Sequence, residues 1–337
     1  MDITKTHIEH EHKHGRPLLS CRFSPTEPAV YFGSEDYAVW KWNWSTGQKV
    51  KFDSDAWVRG LALSSDGQTL LTVGYDGRLL WWPTGVESPE PLRAVPAHEG
   101  WSRAVAISPD GTLVATVGND QRVRLWNFGD GSEVREFKGQ EASLENAMRH
   151  DSHIYNVLFH PRGESLVTGD LMGKLIDWDV QTGAPKRSWS AASLSKFDTG
   201  FRAQIGGFRG LRFNHDGSRL YGSGITNVTN AFAGVGNPSV VEFDWNEGKQ
   251  QLEYLSKPAL QGVAWGVAVL PDGTLIAAHG GSGGNLVFWK SGTADAAHQF
   301  KLPQSARDLD LSPDHARVAT ACADGTLRIC LLDAKPA

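Results

Sequence analysis

One count constrains what this chain can fold into more than anything else in it. Seven times an apolar-x-apolar segment runs into a turn and, at a nearly fixed distance, a bulky residue closes a later apolar run. The segments start at Cys21, Leu61, Val105, Val157, Leu211, Val267 and Leu309, and the closing residues are Trp42, Trp82, Trp126, Trp178, Trp245, Trp289 and Cys330. The interval is 21 residues in five copies, 22 in the sixth and 34 in the fifth, where a Gly/Asn-rich insertion occupies 225–238. Unrelated strands would not keep such a count, so the chain reads as seven copies of one unit.

Residues 98–126 show the unit most plainly. Val105 and Ile107 alternate into Ser108-Pro109-Asp110-Gly111, a second apolar run over 113–117 meets Asn119-Asp120, and Val123 and Leu125 lead to Trp126. Period-two alternation broken by turn residues spells strand, turn, strand, turn, strand. Proline fixes φ and glycine accepts positive φ, so turns such as His160-Pro161-Arg162-Gly163 and Leu270-Pro271-Asp272-Gly273 suit tight hairpins. The 37 Gly and 13 Trp against 3 Met fit a turn-dense β protein, and no capped run of helical period offers an alternative.

A net charge of -5 gives no general reason to expect nucleic acid or an acidic membrane as partner. Cys21, Cys322 and Cys330 are odd in number and lie in apolar strand patterns. A reducing compartment is therefore the simpler reading, and a cytoplasmic location is expected. The first residues lack an apolar signal core, and no stretch has the roughly 18 apolar residues of a membrane span.

The repeats resemble the WD40 family over nearly the whole chain. That resemblance implies an all-β, seven-bladed β-propeller in one domain, with blade cores near 17–53, 57–97, 101–138, 153–190, 207–256, 263–301 and 305–331 plus 3–10. The family's hydrogen-bonded tetrad of His, Ser/Thr, Asp and Trp maps in full onto His98, Thr116, Asp120 and Trp126. Blade 2 offers Ser54, Thr72, Asp76 and Trp82; blade 4 offers His150, Thr168 and Trp178, with Met172 where Asp is sought; blade 7 keeps Thr320 and Asp324. Too few residues follow the last repeat for a fourth strand, so residues 3–10 are expected to complete blade 7 and close the ring.

In the family's topology the insertions 139–152, 190–207 and 225–238 all fall on the top face, and the innermost strands present side chains at the channel mouth. Two residues before each start stand Leu19, Arg59, Arg103, Tyr155, Arg209, Trp265 and Arg307; four before stand Pro17, Trp57, Trp101, His153, Gly207, Val263 and Ser305. Trp57, Arg59, Trp101, Arg103, His153, Tyr155, Arg209, Trp265 and Arg307 are the candidate binding residues. Guanidinium forks grip carboxylate or phosphate, and Trp and Arg are enriched at binding hot spots. Against this, the arginines can pair with acids on neighbouring loops and the tryptophans can pack beneath the insertions.

Other motifs carry less. Gly280-Gly281-Ser282-Gly283-Gly284 has the spacing of a nucleophile elbow, but a strand rather than a helix is expected after it. His7, His10, His12 and His14 have a metal-grip spacing in a segment needed for ring closure. Asn227-Val228-Thr229 matches a glycosylation acceptor. No catalytic constellation, metal site or cofactor is expected. The function expected is a non-enzymatic scaffold that docks a protein or peptide partner, acidic or phosphorylated, on its top face, with nucleic acid and membrane disfavoured. The alternatives are a propeller hydrolase or lyase with a metal in the channel, and a purely structural subunit.

Overall fold

In a computed structural model that describes residues 1–139, 148–200, 202–230 and 235–335, the chain forms seven four-stranded antiparallel sheets and one two-stranded sheet. Blade 3 is typical, with strands Ser102–Ile107, Leu113–Gly118, Val123–Asn127 and Glu133–Phe137 paired in chain order. The innermost strands of successive blades touch in a cycle, and Leu18–Phe23 of blade 1 meets Ala306–Leu311 of blade 7. The result is a closed seven-bladed propeller.

The core is divided as the geometry requires. Each sheet has two apolar faces, and each face can be covered only by the next blade. Among the described residues seven apolar clusters occur, one at each junction. Phe32 and Trp42 of blade 1 meet Ala321 and Ile329 of blade 7, while Phe137 of blade 3 meets Trp178 of blade 4.

The N-terminus closes the ring, with a shift from the expected range. The outermost strand of blade 7 is His7–Lys13, antiparallel to Thr326–Leu331, whereas Ile3–Lys5 forms a turn of 3-10 helix. Asp2 caps that turn by accepting from the Thr4 N–H, and Thr6 Oγ1 donates to the Ile3 carbonyl. The strand is held in register by Glu9, bidentate on Arg317 at 2.6 and 3.0 Å, and by Glu11 on Arg328 at 2.8 Å.

Blade 5 corrects a second expectation. Trp42, Trp82, Trp126, Trp178 and Trp289 pair with Val30, Leu70, Val114, Leu166 and Leu275, but the equivalent partner of Leu220 is Phe243, not Trp245. Gly222 stands where blades 2, 3, 4 and 7 have threonine, so an indole there would lack that hydroxyl acceptor. Trp245 lies just beyond the strand and stacks on His160 with ring centres 5.3 Å apart.

The insertions are structured rather than loose. The two middle strands of blade 5 extend past the blade as Arg219–Asn230 and Val235–Asp244, still paired at Ile225 with Pro238. Residues 190–207 contain a hairpin of Ser195–Asp198 with Ala203–Gly206. The hairpin and the extension brace one another, since Thr226 Oγ1 donates to the Ser193 carbonyl at 2.7 Å and Lys196 Nζ to that of Val228. Of the segment 139–152, residues 140–147 lie outside the described residues.

Candidate binding site at the channel mouth

Rigidity comes first from the hydrogen-bonded chains inside the blades. In blade 3 the Trp126 Nε1–H donates to Thr116 Oγ1 at 2.9 Å, Thr116 bonds His98 Nε2 at 2.9 Å, and His98 Nδ1 bonds Asp120 at 2.9 Å. A carboxylate only accepts, so Nδ1 carries the ring proton and Nε2 accepts from threonine. Blade 4 repeats the chain through Trp178, Thr168, His150 and Asp170, which corrects the reading that Met172 leaves that blade without its acid. Asp170 sits at the end of the strand Ser165–Asp170 rather than in the following turn. Blade 2 is tied only in part: Trp82 reaches Thr72, but Asp76 binds Arg78 instead.

The mouth itself is built by a repeated irregularity. In all seven innermost strands the register slips once, and the residues left unpaired are Leu19, Arg59, Arg103, Tyr155, Arg209, Trp265 and Arg307. A β-bulge re-aims the side chain it carries. Arg59, Arg103, Tyr155 and Arg209 line one central cavity of about 300 Å³.

These side chains form an alternating arc. The Arg103 guanidinium carbon lies 4.6 Å from the centre of the Trp101 ring and 4.4 Å from that of Tyr155. Arg209 lies 5.0 Å from Tyr155 and 5.6 Å from Trp265, and Arg59 lies 5.4 Å from Trp265. Cations over aromatic faces are attracted by the ring quadrupole, which offsets part of the repulsion among these three like charges.

Charge is handled differently around the ring. Arg307 pairs with Glu35 at 2.6 Å. Deeper in, Arg22 pairs with Asp308 at 2.7 Å and Arg212 with Asp310 at 3.2 Å. Among the described residues, Arg59, Arg103 and Arg209 have no carboxylate partner. Their hydrogen bonds go to neutral oxygens: Arg59 to the Leu19 carbonyl, Arg103 Nε to Asn119 Oδ1 at 2.7 Å, and Arg209 to the Gly206 carbonyl at 2.8 Å. Burial lowers Arg209 to about 10, helped by the charges of Arg59 and Arg103, and burial also lowers Arg59.

The remaining candidates sit beside this arc. Trp57 donates Nε1–H to the Glu35 carbonyl at 3.1 Å, and His153 Nδ1 bonds the Asn119 carbonyl at 2.8 Å. Sequence reasoning missed Glu35, Tyr75 and Asn119. They occupy the first turn position after the second strand, where their N–H groups donate to the carbonyls of Pro17, Trp57 and Trp101. Reading that position in register would have found them. It also missed an aromatic strip: Tyr37, Trp57, Tyr75 and Trp101 follow at ring separations of 6.5, 5.6 and 4.1 Å. Its two ends are open, with Tyr37 53% and Trp101 42% exposed.

The family model described as WD domain, G-beta repeat matches residues 47–83, 89–127 and 297–330. The chain thus carries WD40 repeats in three places within a seven-bladed propeller. Each matched stretch begins at or near the outermost strand of one blade and runs through three strands of the next, so the sequence unit straddles the blade junction it stabilises. No curated protein matches the chain. WD40 propellers are in general non-enzymatic scaffolds that bind protein partners. Ser282 lies in the turn between Leu275–Gly281 and Gly283–Trp289, two strands, so it has no elbow. Among the described residues no three His, Cys, Asp or Glu side chains are grouped to hold a metal ion. Asn227 belongs to the blade 5 extension. The three cysteines are free and buried.

Proposed function

We propose that this WD40 propeller is a non-enzymatic scaffold that docks a protein or peptide partner on its top face, with an anionic group of the partner drawn to Arg59, Arg103 and Arg209. The observation that carries this reading is that three arginines aimed into one mouth have only neutral hydrogen-bond partners among the described residues. Among the described residues the alternative in which the arginines pair with neighbouring acids holds for Arg307 alone of the four. Trp101, Tyr155 and Trp265 supply rigid contact area beside the charge, and Trp57 extends it toward blade 1. No observation favours a channel hydrolase or lyase: His153 is the one residue of ligating type at the mouth positions, and it is engaged with the Asn119 carbonyl. We also place the protein in the cytoplasm, a reading supported by three buried free thiols.

The test uses Arg103→Glu combined with Arg209→Glu, with capture of an oligoglutamate peptide and an oligoglutamine control read by fluorescence anisotropy at low and high salt. The wild type binds the acidic peptide in a salt-dependent way, and the reversed variant, still folded by circular dichroism, does not. Equal capture of both peptides by wild type and variant overturns the proposal.

A further inference from the structure

Behind the arginines the same cavity contains donors that the fold leaves unanswered. Asn156 follows the bulge residue Tyr155 and lines the cavity, and its buried Nδ2 has no hydrogen-bond partner. Arg209 Nε is likewise buried without an acceptor. Buried donors are nearly always satisfied, so two in one cavity, beside three arginines with no carboxylate bonded among the described residues, point to an acceptor group there.

Size and charge narrow what fills it. A cavity of about 300 Å³ has room for one small group and its waters, at roughly 30 Å³ per water. Gly60, Gly210 and Gly266 line it on three of the innermost strands. A Cβ on Gly60 would come 2.5 Å from the Val73 side chain and one on Gly210 2.9 Å from Ser223 Oγ, so the wall is already closely packed. Asp308, at the strand position equivalent to Asn156, and Asp310 line the same cavity and are already paired with Arg22 and Arg212. An anion seated toward Asp308 or Asp310 would meet carboxylates, so the attractive zone is confined to the side of Arg103, Arg209 and Asn156.

Resting on the top-face reading above, we infer that the channel takes a single compact oxyanion end-on, held by Arg59, Arg103, Arg209 and the Asn156 amide. The shared chemistry is that of a phosphate group or a terminal carboxylate, not a run of acidic side chains laid across the surface. The bulges aim the guanidinium groups inward from three blades, and the Asn156 amide donates from behind, so acceptor oxygens pointing in several directions from one centre satisfy all of them at once.

Inorganic phosphate is the first probe, titrated into the intact protein and followed by phosphorus NMR line broadening and by tryptophan fluorescence. Saturable binding is expected, weakened about tenfold by Asn156→Leu and retained in Asn156→Gln, which keeps an amide donor. Two peptides then separate the sources: one with a free C-terminal carboxylate against its amide, and one carrying phosphoserine with both ends blocked. Competition by either with inorganic phosphate supports the inference and names the source. Absence of phosphate binding to the wild type, or equal binding by the Asn156→Leu variant, overturns it. If the acidic peptide is still lost on reversing Arg103 and Arg209, only the end-on site falls and the top-face reading survives. Thermal melts of both Asn156 variants establish that they are folded.

Discussion

Arg103 holds its guanidinium carbon 4.4 Å from the ring centre of Tyr155, the residue that occupies the same bulge one blade further on. Tyr155 is shared, because Arg209 approaches it to 5.0 Å. One ring therefore fixes two arginines that would otherwise repel each other. The Tyr155 ring, not its hydroxyl, makes these contacts. Tyr155→Phe should leave stability and anion capture nearly unchanged, whereas Tyr155→Ala should cost about 1–2 kcal/mol and weaken capture. A double-mutant cycle between Tyr155→Ala and Arg103→Ala, read by urea denaturation, should give a coupling energy of about 0.5–1 kcal/mol.

Thr116 and Thr168 each stand between an indole donor and an imidazole acceptor, and both are fully buried. Replacing either by valine keeps the shape and strands both partners. We expect a loss of about 2–4 kcal/mol for Thr116→Val and a similar loss for Thr168→Val, because blade 4 is tied as completely as blade 3. Chemical denaturation checks both; a much smaller loss at Thr168 would mean that the Asp170 arrangement is not equivalent.

Acid should loosen the ring from two histidines with the same sign. His279 is buried with neither ring nitrogen bonded, and burial lowers it to about 3; His12, stacked on Trp42 at 5.1 Å, is lowered to about 4 by burial and by Lys49 and His14. Both stay neutral in the fold, while the unfolded chain takes up protons below about pH 6.5. Stability is thus full above pH 6.5 and falls as the pH drops toward those lowered values. For His279 alone the loss should reach about 2 kcal/mol at pH 5. Between pH 7 and 5 the melting temperature of wild type should fall relative to that of His279→Leu, which lacks this proton uptake.

Ring closure rests on His7–Lys13, which brings Glu9 to Arg317 and Glu11 to the buried Arg328. Deleting residues 1–13 uncovers the edge of Thr326–Leu331 and removes one carboxylate from Arg328. The truncated protein should melt at least several degrees lower and associate in a concentration-dependent way, since an open strand edge pairs with whatever is offered. Size-exclusion chromatography with light scattering checks this; an unchanged monomer of equal stability would show that the ring closes without its N-terminal strand.

Periodicity alone determined three strands of each unit, the number of units and the register wherever the repeat is uninterrupted. These follow from local chemistry repeated at a fixed spacing: alternating apolar residues make a strand that needs covering on both faces, and Pro, Asp and Gly make the turn. The register in turn identified Arg59, Arg103, Tyr155, Arg209 and Trp265 as equivalent. Where the repeat is interrupted, spacing misled, as with Trp245 taken for Phe243 and Met172 for Asp170. In both cases a side chain's role depends on which partner lies across the sheet. What only the tertiary structure decided is the charge state of the mouth. Whether an arginine finds a carboxylate depends on the loops brought beside it, and Glu35 reaches Arg307 across 272 positions of sequence. That ring closure pairs one arginine and leaves Arg59, Arg103 and Arg209 with aromatic rings and neutral oxygens, because a contact between distant segments is set by their positions in the closed ring and not by the local sequence of either.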